Sequence, residues 1–287
     1  MCDDRDLEDF ARKGINRRQF AATGALAGLA ACTSMEGAAN GSGGLSETMV
    51  TVPTADGTMD AFFVHPAKPA PAVIFWPDIA GLREAKKAMA RRLAGEGYAV
   101  LVANPYYRDI AAPQFADFAD FMAQKGFEKV GPWREKAGKP DAVDRDAKAL
   151  VAWLDRQGAV DTKRGIGTQG YCMGGPYTVY TAAAAPGRVK AAASFHGGGL
   201  ATEQPTSPHR MLQAGTSYLI AIAQNDDAKQ PEAKTILRQA ADAAGARAEI
   251  EVYPADHGWC VPDSPAYDPV EAERAWARLL ALYKSGL

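Results

Sequence analysis

Cys172 stands in Gly170-Tyr171-Cys172-Met173-Gly174-Gly175, at the point where a predicted strand, Gly165–Gly170, gives way to a helix. That setting suits a nucleophile. A side chain presented on a sharp strand-to-helix turn sits on strained backbone, and glycines two residues to either side remove the collisions that side chains there would make with it. The first turn of the following helix aims N–H groups and its positive dipole end at the sulfur, which favours the thiolate. The N–H of Met173, next in the chain, is placed to donate to an oxyanion. A general base is offered by His257, in Ala255-Asp256-His257-Gly258-Trp259, just after an apolar strand ending at Tyr253-Pro254. An acid to orient it is offered by Gln224-Asn225-Asp226-Asp227, which follows another apolar strand. Thiol, carboxylate and imidazole, each at the end of a strand, are the parts needed for acyl transfer through a covalent intermediate.

These side chains need a frame, and the pattern supplies one. Met49–Pro53 and Met59–His65, separated by Ala55-Asp56-Gly57-Thr58, predict a β-hairpin. Ala72–Trp76 (AVIFW) and Tyr98–Ala103 (YAVLVA) are continuous apolar runs, as in strands covered on both faces. Gly165–Gly170, Val189–Phe195, Tyr218–Ala223 and Ala248–Tyr253 predict further strands. Helices are predicted over Glu84–Gly95, Asp141–Gln157, Pro231–Ala244 and Asp268–Lys284. The alternation predicts an α/β fold with a mostly parallel sheet, helices on both faces, and chemistry at the carboxyl ends of the strands. Between Pro113 and Lys139 the rhythm fails, and Phe115, Phe118, Phe121, Phe127 and Trp133 are interleaved with charges. This segment reads either as an excursion that walls the substrate pocket or, in its first half, as a core-packing helix.

Residues 1–44 read as an address and a tether. Asn16-Arg17-Arg18-Gln19-Phe20 precedes a small-residue apolar run from Phe20 to Ala31, the pattern of an export signal that resembles the twin-arginine type. Leu29-Ala30-Ala31-Cys32 resembles a lipobox, which would put a lipid anchor on Cys32; plain cleavage in the same stretch is the alternative. Gly37–Gly44 then forms a flexible tether. The expected location is the periplasm, as a soluble or lipid-anchored protein.

Of the 287 residues, 47% are hydrophobic and 23% charged, with a net charge of −2, which gives no basic surplus for a nucleic-acid partner. The four cysteines, at 2, 32, 172 and 260, include no CxxC pair. They imply neither a zinc site nor a disulfide framework. The histidines show no metal-ligand spacing, and no metal or cofactor is expected. His196, in Ser194-Phe195-His196-Gly197, ends a strand and is a candidate to line the pocket; His65 and His209 read as structural.

Nucleophile, acid and histidine in that chain order are the order of α/β-hydrolases. Residues 45–287 resemble, as a single domain, the dienelactone hydrolase (carboxymethylenebutenolidase) family of that superfamily. The resemblance rests on GYCMGG, the QND acid turn, the DHGW histidine turn, and PDIAGLR followed by GYAVLVANPYYR. It implies Cys172 as nucleophile, His257 as base and Asp226 as acid, with Asp227 the alternative. The implied oxyanion donors are the N–H groups of Ile79 and Met173. Asp78 matches an acidic residue that interacts with the resting cysteine. Arg108 matches an arginine that binds a substrate carboxylate, where a planar guanidinium suits a planar anion. A second arginine that the family carries after its histidine is missing from Gly258-Trp259-Cys260-Val261-Pro262.

The expected activity is therefore hydrolysis of a small carboxylate-bearing ester or lactone by a monomer, through a thioester. The rivals are a general carboxylesterase without lactone preference and an inactive exported binding protein. A Cys172–Cys260 disulfide would favour the inactive one.

Overall fold

The two most apolar runs lie side by side at the centre of one sheet. The computed structural model describes residues 44–287, which form one compact unit. Its strands are β1 (Leu45–Thr54), β2 (Gly57–Pro66), β3 (Ala72–Trp76), β4 (Ala99–Ala103), β5 (Ile166–Tyr171), β6 (Val189–Phe195), β7 (Ser217–Ala223) and β8 (Arg247–Tyr253). They run in the order β1-β2-β4-β3-β5-β6-β7-β8. The hairpin β1–β2 joins β4 antiparallel, and every pairing from β4 to β8 is parallel.

Period-two alternation divides each buried strand between two cores. Ile74 and Leu101 face one layer with α4 (Pro140–Leu154), α5 (Gly174–Ala184) and α7 (Ala233–Ala243), through Leu150, Leu154, Val179 and Leu237. Val73, Phe75, Val100 and Val102 face the other, with α1 (Glu84–Gly95) and α8 (Pro269–Gly286), through Ala90, Leu93, Leu279 and Tyr283. Asp268 caps α8 by accepting from the N–H groups of Val270 and Glu271.

The chain leaves β3 towards β4 on one side and later enters β5 on the other. Loops after these two strands therefore diverge, and a crevice opens at their carboxyl ends. Register pairs Trp76 with Gly170. The residues that follow, Pro77–Ile79 and Tyr171–Met173, thus face one another across that crevice.

The irregular segment 113–139 holds two helices, α2 (Phe118–Ala123) and α3 (Gly126–Ala137). Their Phe118, Phe121, Val130 and Ala137 share a third apolar cluster with Phe115, Ile79, Ala80 and Tyr106, against which Met173 also packs. The aromatics thus sit on the loops after β3 and β4. Between β7 and α7 a short helix, α6 (Gln224–Lys229), occupies what sequence pattern gives as a turn.

The twin-arginine segment, the lipobox-like Cys32 and the tether before residue 44 lie outside the described residues. Among the described residues no helix is long and apolar enough to cross a membrane.

Candidate active site

Cys172 has φ +52°, in the left-handed region that a side chain enters at a cost of roughly 1–3 kcal/mol. Its N–H donates to the Phe195 carbonyl at 3.0 Å and to His196 Nδ1 at 3.1 Å, and its carbonyl accepts from Gly175 N–H at 3.0 Å. Those bonds over-determine the strained conformation. The flanking glycines are needed for a different reason from the one the motif suggests. A Cβ at Gly170 would overlap the Gly174 carbonyl, and one at Gly174 would lie 2.5 and 2.6 Å from the Trp76 and Pro77 carbonyls. The close approach is backbone to backbone, between the start of α5, the end of β5 and the loop after β3.

His257 is held from two sides by residues of α6. Its Nδ1 lies 2.7 Å from Asp226 Oδ2, and its N–H donates to Asn225 Oδ1 at 2.9 Å. A carboxylate only accepts, so the imidazole proton resides on Nδ1. Asp227, the other acid of the pair, binds Lys234 instead. The His257 ring meets the His196 ring edge-on at 4.6 Å between centroids, and Trp259 lies edge-on to His196 at 5.2 Å.

His196 is buried, has φ +41°, and accepts the Cys172 N–H on Nδ1, which places its proton on Nε2. Burial, reinforced by the charges of His257 and Lys86, holds it well below its ordinary value, so the ring stays neutral. His196 therefore joins the nucleophile's backbone to the imidazole of the candidate base.

Ile79 and Met173 face each other across the crevice, and neither N–H has a protein acceptor among the described residues. Tyr106, fully buried, touches both. Its hydroxyl donates to the Ile79 carbonyl at 2.8 Å and lies 3.4 Å from Met173 Sδ.

Both oxygens of Asp78 are held by neighbouring donors. Arg83 donates to both of them, Lys86 pairs with one at 2.6 Å, and the Ala80 N–H donates at 3.0 Å. Burial would raise this carboxyl, but the Arg83 and Lys86 charges outweigh it and hold it below the usual carboxylate range. Arg108 is likewise committed: its guanidinium makes hydrogen bonds of 2.7–3.0 Å to Asp56 and Asp146. A substrate carboxylate would have to displace two resident ones. No disulfide links Cys172 to Cys260. Cys260 lines a separate, mainly apolar cavity of about 230 Å³ between α1 and α8, where burial pushes its thiol up and makes it a poor nucleophile.

Sequence reasoning passed over Asn225, Tyr106 and a buried charge cluster. In that cluster Arg83 joins Asp78 to Asp263, and Asp263 also accepts the Phe118 N–H at 3.0 Å. One guanidinium thereby ties the loop of Ile79 to the loop after His257, and Asp263 ties that loop to α2. The available signal was Asp78 and Arg83, charged residues close after the apolar strand β3. Among the described residues no group of three His, Cys, Asp or Glu side chains could hold a metal ion.

Comparison with known proteins agrees with this architecture. The model of the dienelactone hydrolase family matches residues 59–287. A protein of Escherichia coli K12, provisionally named a carboxymethylenebutenolidase, is 30% identical over 243 residues, covering 82% of this chain and 85% of its own. A protein of Methylorubrum extorquens with the same provisional name is 30% identical over 290 residues, covering 96% and 95%. The crystal structure of a protein from Klebsiella pneumoniae, provisionally named a dienelactone hydrolase, superposes with a TM-score of 0.68 at 25% identity, over 84% of this chain and 98% of its own. Eight-stranded sheet, crevice and matched sequence converge: the chain belongs to the dienelactone hydrolase family.

Proposed function

We propose that this protein hydrolyses a carboxylic ester or lactone through a thioester on Cys172. The observation that carries the reading is the 2.7 Å His257–Asp226 bond, on a histidine packed against the ring that accepts the Cys172 N–H. Cys172 thiolate attacks the carbonyl carbon, and the N–H groups of Ile79 and Met173 receive the oxyanion. With Nδ1–H held by Asp226, His257 uses Nε2 to protonate the departing alkoxide. The same nitrogen then takes a proton from the water that attacks the thioester, releasing the acid and restoring the thiolate–imidazolium pair. Carboxymethylenebutenolide, opened to its acid, is the substrate that the relatives' names suggest.

The test is hydrolysis of a dienelactone and of simple aryl esters by the wild type and Cys172→Ala. The variant is expected to lose both activities by a thousandfold or more. Retained hydrolysis would remove the cysteine from the mechanism. The double commitment of Arg108 favours a second reading, a general carboxylesterase, in which aryl esters turn over as well as the dienelactone.

We further propose that the protein works in the periplasm, exported by the twin-arginine segment, with Cys32 carrying a lipid if the lipobox is used. Arg17→Lys/Arg18→Lys should leave the protein in the cytoplasm on fractionation. Cys32→Ser should release it from membranes if lipidated and change nothing if not.

A further inference from the structure

Three cations close to the crevice are spoken for: Arg83 by Asp78 and Asp263, Lys86 by Asp78, and Arg108 by Asp56 and Asp146. Arg134 is different. It lies in the last turn of α3, four residues after the fully buried Val130 and three before the buried Ala137. That spacing turns it to the helix face packed on Ile79 and Tyr106. It is only partly exposed, and its side chain has neither ion pair nor hydrogen bond among the described residues. On the same helix, Lys136 pairs with Asp109 and Lys129 with Gln124.

Its neighbours lead back to the nucleophile. The adjacent Trp133 ring lies 5.7 Å from that of Tyr106, whose hydroxyl reaches Ile79 and Met173. At the end of the helix a Cβ on Gly138 would meet the Arg134 carbonyl at 3.0 Å and the Tyr177 hydroxyl at 3.4 Å. Tyr177 belongs to α5, the helix that starts at the nucleophile's turn. It is 3% exposed, and its hydroxyl has no partner among the described residues. A buried, unpartnered hydroxyl costs roughly 1–3 kcal/mol. Both phenols are raised by burial, and both feel the Arg134 charge and the Cys172 thiol.

We propose that Arg134, with the Tyr177 hydroxyl beside it, is the specificity-determining anion subsite, taking a second, ionised carboxylate on the acyl part of the ester. This rests on Cys172 being the nucleophile. The guanidinium fork and the phenol would each donate to that carboxylate while the scissile carbonyl sits at Cys172. Specificity would then come from the aromatic segment over the site, not from the loop after β4.

The test compares p-nitrophenyl butyrate with mono-p-nitrophenyl glutarate, which differ by a terminal carboxylate. Arg134→Gln should lower kcat/KM for the glutarate ester roughly 10–100-fold and leave the butyrate ester within twofold, with Arg134→Lys intermediate. Tyr177→Phe should show a smaller loss of the same selectivity. Glutarate binding, followed by calorimetry, should weaken in parallel in Arg134→Gln; this readout needs no turnover. Equal losses on both esters, or unchanged glutarate binding, would overturn the subsite. Failure of the wild type on both esters with glutarate binding still dependent on Arg134 would instead overturn the hydrolase reading.

Discussion

The backbone N–H of Cys172 donates to Nδ1 of His196 across 3.1 Å, and both residues have positive φ. Tyr171 and Phe195 are register partners on adjacent parallel strands. The first residues beyond them thus turn left-handed side by side and brace each other. Protonating His196 would set a donor against a donor and break that brace.

A pH dependence of stability follows. In the unfolded chain His196 takes a proton near pH 6.5, which the folded protein refuses because its value is held well below that. Above pH 6.5 this group adds nothing; as pH falls below 6.5 it makes folding progressively less favourable. Relative to His196→Gln, the wild type should lose up to about 1.4 kcal/mol per pH unit between pH 6 and 5, measured by urea unfolding. Parallel pH profiles would mean that folded His196 takes up the proton.

Asp226 and Asp227 are neighbours with different partners, His257 and Lys234. Asp226→Asn should reduce kcat by roughly a thousandfold or more, because the amide favours the wrong imidazole tautomer. Asp227→Asn should change kcat by less than about threefold, since the ion pair it removes is partly solvated. Steady-state kinetics on one aryl ester distinguish the two.

The glycines of the elbow carry a packing prediction. Gly170→Ala must push α5 away from β5, and a loss of at least about 3 kcal/mol is expected from denaturant midpoints. Gly95→Ala, in open space within α1, should be neutral or slightly stabilising.

Asp263 holds Arg83 and the α2 N-terminus together. Asp263→Ala leaves a buried guanidinium short of a partner and should cost about 3 kcal/mol in stability. It should also raise KM, because the loops of Ile79 and His257 share that arginine. A KM unchanged despite the lost stability would uncouple the cluster from the site.

The frame was readable where the code is local. AVIFW and AVLVA announce doubly covered strands, and they are the central β3 and β4. The start of β1 was under-read because Ser46, Glu47 and Thr48 are polar and exposed on an edge strand. The short helix α6 was missed because QNDDAK buries nothing and has no apolar period. The partners of Asp78 and Arg108 were not legible. Asp56 and Asp146 lie far from Arg108 in sequence, and only the fold shows that they neutralise it. Spacing located the thiol, the acid and the imidazole at strand ends; it could not say which other charges were already paired.

The central claim is covalent chemistry at Cys172, and the most direct measurement is acid quench of the protein during turnover of p-nitrophenyl butyrate, followed by peptide mass spectrometry. A butyryl group is predicted on the peptide containing Cys172, labile to hydroxylamine, absent from Cys172→Ala and accumulating in His257→Gln, where deacylation is slowed more than acylation. A butyryl group on another residue, or turnover by Cys172→Ala at the wild-type rate, would contradict the account.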